Sequence, residues 1–183
     1  MCVYVQNKFE KYFPSVTVKL HIVLNLFILI YGEHIESSLL VGHIISWVLL
    51  MMLVGGVWVY LIKEKHEASQ LVKDFCFMVN TQFDTKVKII RSDNECEFIS
   101  RPMEQFYKKQ GIIHQISCID TPQQNARAER KNRHLLNVAR ALRFQANLPL
   151  DLCGGCVLTA THLINRTPLV VFHGKTPYEV LYK

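Results

Sequence analysis

The sequence predicts an α/β fold in which a mixed five-stranded sheet is flanked by helices. Apolar runs suited to strands occur near residues 21–31, 43–53, 57–62, 87–90 and 112–118. Segments with helical periodicity follow the third, fourth and fifth of these runs. At 183 residues the chain has the length of one domain with a substantial core.

Residues 39–62 have two competing interpretations. They contain no charged residue and precede Lys63 and Lys65, so their length and basic flank satisfy the rule for a transmembrane helix. Gly55 and Gly56, however, lie between two β-rich runs, which is a hairpin signal. We therefore favour two antiparallel strands, and the alternative is a membrane-anchored, non-catalytic protein with residues 39–62 as a transmembrane helix.

The rest of the chain alternates helices and strands. Apolar residues recur every three or four positions from Ala68 to Phe83, which predicts a helix. A short helix at about residues 102–110 is predicted to end at Gly111. Two further helices are predicted at about residues 126–144 and 150–165, separated by Pro149.

Asp93 and Glu129 are the candidate catalytic and metal-ligating residues. Asp93 comes where the chain leaves the strand near residues 87–90, and Glu129 lies among helix-forming residues, with the 35 residues 94–128 between them. Hard divalent cations such as Mg²⁺ take oxygen ligands and keep room for substrate phosphates. Two carboxylates from a strand end and a helix therefore suit a divalent-metal site.

Positive charge is concentrated in residues 63–183. The net charge is +6, and in residues 1–62 three lysines are balanced by three glutamates. The basic residues nearest Glu129 are Arg127, Arg130, Lys131, Arg133 and His134. Such a cluster favours a polyanionic partner, because neutralising phosphates is a sequence-independent source of affinity. A solvated helix exterior is the alternative explanation.

Seven short blocks of the chain, in one order, resemble the integrase catalytic core of copia-type retrotransposon polyproteins. The 35-residue gap between Asp93 and Glu129 also equals the spacing in that family. The blocks are residues 91–94 (RSDN) with 97–98 (EF), 111–115 (GIIHQ), 117–118 (SC), 121–125 (TPQQN), 129–135 (ERKNRHL), 163–168 (LINRTP) and 175–181 (KTPYEVL).

The resemblance divides the chain into a poorly matched segment, residues 1–38, and an integrase-core-like domain, residues 39–183, with a close match over 57–183. It implies a ribonuclease-H-like fold and a metal-dependent polynucleotidyl transferase or endonuclease ancestry. It also implies DNA as partner, contacted by the basic residues around Glu129, with a second copy or intact integrase subunits as further partners. The expected location is the nucleus or cytoplasm, with a membrane as the alternative.

The family uses three carboxylates to hold two Mg²⁺ or Mn²⁺ ions, and Asp93 and Glu129 match the second and third. The first would fall at Leu29 or Ile30, and the first aspartate anywhere in the chain is Asp74. We therefore expect a weakly bound ion or none, and a catalytically inactive domain.

Three further positions bear on the site. Glu95 stands where the family has glycine, which adds negative charge where DNA phosphates would approach. The C-x-x-C pair Cys153 and Cys156 lacks the two further ligands that zinc needs, so we expect free thiols in a core helix. His114, in an apolar strand, is expected to be a satisfied histidine rather than a ligand.

Overall fold

Residues 27–34, 47–53, 55–117 and 126–182 are described by a computed structural model, with side chains from residue 55 onward except at Arg127. The elements in these ranges follow the predicted order, and an α/β fold is confirmed. The strands are β1 (Phe27–His34), β2 (Trp47–Leu53), β3 (Gly56–Ile62), β4 (Ile89–Ser92) and β5 (Ile113–Ile116). The helices are α1 (Glu67–Phe83), α2 (Cys96–Ile99), α3 (Arg101–Gln110), α4 (Ala126–Gln145), α5 (Cys153–Asn165) and α6 (Pro177–Tyr182).

Several bounds differ from the prediction. The strand expected at residues 112–118 is shorter, and the helix expected at 150–165 begins with a 3-10 turn, Leu150–Leu152. Helices α2 and α6 were not predicted, because each is a few residues long and has too few turns to show periodicity. Gly111 ends α3 with φ 70°, as predicted, since that backbone conformation favours glycine.

The strands form one sheet in the order β3-β2-β1-β4-β5. Strands β1, β2 and β3 pair antiparallel, whereas β4 pairs parallel to both β1 and β5. In the parallel register of β1 and β4, Leu29 lies opposite Arg91. Strand β1 therefore separates the strand that leads to Asp93 from the β2–β3 hairpin.

The hairpin settles the interpretation of much of residues 39–62. Residues 47–53 and 56–62 are paired strands, so a transmembrane helix is wrong for them, and residues 39–46 lie outside the described ranges. Gly55 has φ 76°, and a Cβ built on it would lie 2.7 Å from the Phe172 ring, so both the turn and the neighbour require glycine. In the described part of the chain, no helix is long and apolar enough to cross a bilayer.

Alternation along β3 directs its side chains into two cores on opposite faces of the sheet. Val57 and Val59 pack with residues of α4 and α5. Ile62 packs with residues of α1, α3 and α6. Because successive strand residues point to opposite faces, the sheet is covered by α4 and α5 on one side and by α1, α3 and α6 on the other.

Two of the sequence blocks form hydrogen bonds at the ends of helices. Asn165, the last residue of α5, accepts a hydrogen bond from the Val57 N–H and donates one to the Val57 carbonyl, both 2.8 Å. Thr176 and Glu179 cap α6 reciprocally: the Thr176 Oγ1 accepts from the Glu179 N–H at 3.1 Å, and the Glu179 Oε2 accepts from the Thr176 N–H at 3.0 Å. The bonds of Asn165 therefore fasten the end of α5 to the sheet edge at β3, and those of Thr176 and Glu179 fix where α6 begins.

Candidate metal and nucleic-acid site

Asp93 directly follows β4, as predicted, at a half-buried position. Its Oδ1 is buried and has no hydrogen-bond partner among the described residues. Burial, reinforced by the charge of Glu95, raises the pKa of Asp93 to about 6, although a backbone hydrogen bond from Glu95 and the Lys65 ammonium oppose the shift. The carboxylate is therefore costly to ionise in this fold, and a cation beside Oδ1 would relieve that cost.

The strand end that carries Asp93 is held by a hydrogen-bonded pair of side chains. The hydroxyl of Ser92, fully buried, lies 2.9 Å from the Asp93 carbonyl oxygen and 2.9 Å from the His114 Nε2. Burial lowers the pKa of His114, so the ring is neutral near pH 7. The hydroxyl has one proton: His114 donates its Nε2–H when that proton goes to the Asp93 carbonyl, and accepts at Nε2 in the other tautomer. His114 is thus the satisfied histidine that the sequence predicts.

Three acids follow β4 within five residues, namely Asp93, Glu95 and Glu97, and they are called the strand-end acids below. Lys65, just beyond β3, forms an ion pair with Glu95 through its Nζ and the Glu95 Oε2. Burial acts to lower the pKa of Lys65, but the hydrogen bond and charge of Glu95 outweigh it and raise that pKa. No local pattern in the sequence indicates this pair, because it joins residues 30 positions apart.

Glu129 lies in the first turn of α4 and is half-buried. Its neighbour Ala128 is fully buried in the core that α4 shares with β3 and α5. Helix α4 also packs against β1 and β2, so the segments that carry Asp93 and Glu129 both flank β1. Among the described residues, however, no three His, Cys, Asp or Glu side chains are grouped so that they could hold a metal ion.

The basic residues of α4 lie mostly on its outer side. Arg130, Arg133 and His134 are exposed, and Lys131 is half-buried. Arg127 belongs to the first turn, and its side chain is outside the described part of the structure. Asn132, which the sequence analysis did not single out, is 2% exposed and faces inward with the core residues of the helix.

The cysteine pair occupies a core helix. Cys153 and Cys156 are buried free thiols in α5, and Cys156 packs beside Val57 and Val59. Burial raises the pKa of Cys153, although Arg143 opposes this. Neutral buried thiols fit the expected substitution in a core helix.

Two solved structures share this fold. The chain matches the catalytic core domain of BIV integrase at TM-score 0.59 and 20% identity, covering 86% of this chain and 94% of that one. It matches the HTLV-2 integrase catalytic core domain, solved in complex with magnesium, at TM-score 0.60 and 19% identity, covering 90% and 99%.

Sequence relatives are transposon polyproteins. The chain is 37% identical over 123 residues to the retrovirus-related Pol polyprotein from transposon TNT 1-94 of Nicotiana tabacum, covering 67% of this chain and 9% of the relative. The chain is homologous to the integrase catalytic core of copia-type retrotransposon Pol polyproteins. Identity to the corresponding polyproteins from transposons RE1 and RE2 of Arabidopsis thaliana is 28% and 29%, over 68% of this chain and 8% of each relative. No protein-family model matches the chain.

The position at which the resemblance implies the first carboxylate lies in β1. The one acidic residue in β1 is Glu33, which lies opposite Val48, four positions beyond Leu29. Leu29 and Ile30, where the family places its first carboxylate, are apolar. The unpartnered Oδ1 of Asp93 suits a cation, but Lys65 already brings an ammonium group to the neighbouring Glu95. Among the described residues, a group of three carboxylates that could hold metal ions is not formed.

Proposed function

We propose that this chain is an integrase-core domain that binds DNA through α4 and does not carry out polynucleotidyl transfer by itself. The observation that carries the proposal is the division of α4 into a buried apolar side and an exposed basic side. The catalytic part of the proposal rests on the missing first carboxylate.

The buried side of α4 has the spacing of one helix face. Ala128, Asn132, Leu135 and Ala139 are at most 6% exposed and recur at intervals of four, three and four residues. A stripe with this spacing fixes the rotation of a helix on a sheet. Positions on the opposite side of the helix from the stripe then face outward, which accounts for the exposure of Arg130 and Arg133.

The charge of this outer surface suits a polyanion. Helix α4 carries six Arg or Lys residues (Arg127, Arg130, Lys131, Arg133, Arg140 and Arg143) and one acidic residue, Glu129, a formal charge of 6 − 1 = +5. Binding to phosphates releases condensed counterions, so affinity rises with each cation that reaches the backbone. Sequence-independent DNA binding that weakens steeply with salt is the expected result.

Catalysis requires more than this surface. In-line displacement at phosphorus by two metal ions needs both ions held at once, one at the attacking oxygen and one at the leaving oxygen. Asp93 and Glu129 supply two of the three carboxylates in the family's pattern, and β1 supplies none at Leu29 or Ile30. Two carboxylates leave two divalent ions under-neutralised, so we infer that the chain is inactive in cutting and joining.

The DNA-binding part is tested by fluorescence anisotropy with a labelled 20-base-pair duplex in EDTA. Replacing Arg130 and Arg133 together by alanine should weaken binding at least about tenfold at 0.1 M salt. It should also reduce the slope of log affinity against log salt by about 2, one unit per lost phosphate contact.

The matched control replaces Lys108 and Lys109 by alanine. These residues are also exposed and close together, but they lie on α3, which covers the opposite face of the sheet. The control should bind DNA nearly as well as the wild type. Equal losses of DNA affinity in the two double variants would overturn the assignment of DNA binding to α4. Unchanged affinity in both variants would show that neither helix binds DNA.

Self-association and the nuclear or cytoplasmic location stay predictions. The HTLV-2 structure to which this fold is similar is described as a trimeric form, and that statement concerns the viral protein. A second copy of this chain would bring the same incomplete set of carboxylates. An intact integrase subunit would bring its own complete set.

A further inference from the structure

The strand-end acids place three carboxylates within five residues. Asp93, Glu95 and Glu97 lie at alternate positions, and the Asp93 Oδ1 and the Glu97 Oε2 are buried without a hydrogen-bond partner among the described residues. Glu95 and Asp93 also repel one another electrostatically. Three partly desolvated carboxylates in one short segment are unfavourable unless a cation offsets them.

Lys65, which follows β3, brings an ammonium group to the strand-end acids, which follow β4. It lies three residues beyond the end of β3, and its side chain is 29% exposed, against 37% for Glu95. Besides the ion pair with Glu95, its ammonium is attracted electrostatically to Glu97 and Asp93. One side chain thus acts on all three strand-end acids.

We propose that the Lys65 ammonium takes the place of a divalent cation at the strand-end acids, with Glu95 as its anchor, and that this ion pair keeps divalent metal away from Asp93. The proposal rests on the absence of a two-cation centre inferred above. It assigns Glu95, which stands where related integrase cores have glycine, the role of holding an internal cation rather than of replacing the lost ligand.

The physical basis is competition for one region of negative potential. A divalent cation at Asp93 would meet the repulsion of a neighbouring ammonium, and this repulsion is screened only in part because the pair is partly buried. Removing the ammonium charge leaves Glu95 and Glu97 uncompensated beside Asp93. Both changes favour a divalent ion, so loss of Lys65 should strengthen metal binding instead of weakening it.

The test measures Mn²⁺ binding to the full chain from the loss of the free-ion electron paramagnetic resonance signal. Replacing Lys65 by methionine should tighten Mn²⁺ binding about fivefold, the effect expected for a partly exposed charge pair. Lys65→Arg retains the charge and should bind as weakly as the wild type. Lys63→Met removes an exposed lysine at the same strand exit and should change binding less than twofold.

A double variant prevents an ambiguous result. The double variant, Lys65→Met with Asp93→Asn, should lose the gain in Mn²⁺ affinity. That loss would place the bound ion at Asp93. Circular dichroism confirms that each variant is folded.

Unchanged Mn²⁺ affinity in folded Lys65→Met, or a gain that survives Asp93→Asn, would overturn the proposal. Either outcome is distinguishable from failure of the proposed function. DNA affinity is measured in EDTA with variants of α4, so it does not depend on what occupies the strand-end acids.

Discussion

The strand-end acids and helix α4 are the regions that we propose for metal exclusion and for DNA binding. The two regions differ in how many substitutions their interactions tolerate. At the strand end, Asp93 is half-buried, and Lys65 supplies an ammonium group to Glu95 beside it. On α4, the outer surface keeps Arg130, Arg133 and His134 exposed above an intact buried stripe. We therefore infer that the first region does not hold the metal ions that the family uses, whereas the second suits a polyanion.

The difference follows from the physics of the two interactions. Catalysis by two metal ions depends on every ligand at once, because the two ions are not held at phosphorus by only some of their carboxylates. Phosphate contacts add separately, so a helix that loses one cation still binds with the others. In the proposed function, an apolar residue at the first carboxylate position would therefore remove catalysis and leave DNA binding in place.

The largest effect on stability is expected when a core side chain beneath the basic surface of α4 is shortened. Leu135 is fully buried between α4 and the sheet, so Leu135→Ala should lower the free energy of unfolding by about 3 kcal/mol. Urea denaturation measures this loss. DNA binding should fall with the folded fraction and not beyond it, whereas Arg133→Ala should weaken DNA binding at unchanged stability. A stable Leu135→Ala protein would contradict the packing described for α4.

A smaller change in the free energy of unfolding, an increase, is expected for a substitution at the strand end. The pKa of Asp93 is about 6 in the fold, above its ordinary value of 3.8, so the protonated carboxyl stabilises the fold at low pH. That contribution is present below about pH 4 and is lost as the pH rises through 6.

Asp93→Asn removes the charge that is costly at higher pH. The variant should be more stable than the wild type by about 1 kcal/mol at pH 7.5, after allowance for solvent screening, and the difference should vanish towards pH 4. Thermal denaturation at several pH values provides the measurement. A variant that is less stable at pH 7.5 would show that the Asp93 carboxylate is already compensated, and the contrast between the two regions would be weaker.

Much of the fold could be predicted because local signals agree with the tertiary structure. The apolar periodicity before Phe83 gives α1, Gly111 ends α3, and Gly55 lies in the turn between β2 and β3. The position of Asp93 after β4 also follows from the sequence, because an apolar run that ends in polar residues marks a strand end.

Other features depend on contacts between distant residues and give no local signal. The bonds between Asn165 and Val57 join residues 108 positions apart. The ion pair of Lys65 with Glu95 requires the segments that follow β3 and β4 to meet beyond the same edge of the sheet, which no single-sequence pattern specifies. The buried Asn132 breaks the rule that polar residues face outward, so periodicity alone gives it no role.

The most direct test of the account is divalent-dependent activity of the purified chain on DNA. Wild type and Asp93→Asn are incubated with Mn²⁺ and either nicked or transposon-end duplexes, and cleaved and joined products are separated on denaturing gels. We predict the same background signal from both proteins, because the chain has two of the three carboxylates that the family uses. Cleavage or joining by the wild type that Asp93→Asn abolishes would contradict the account.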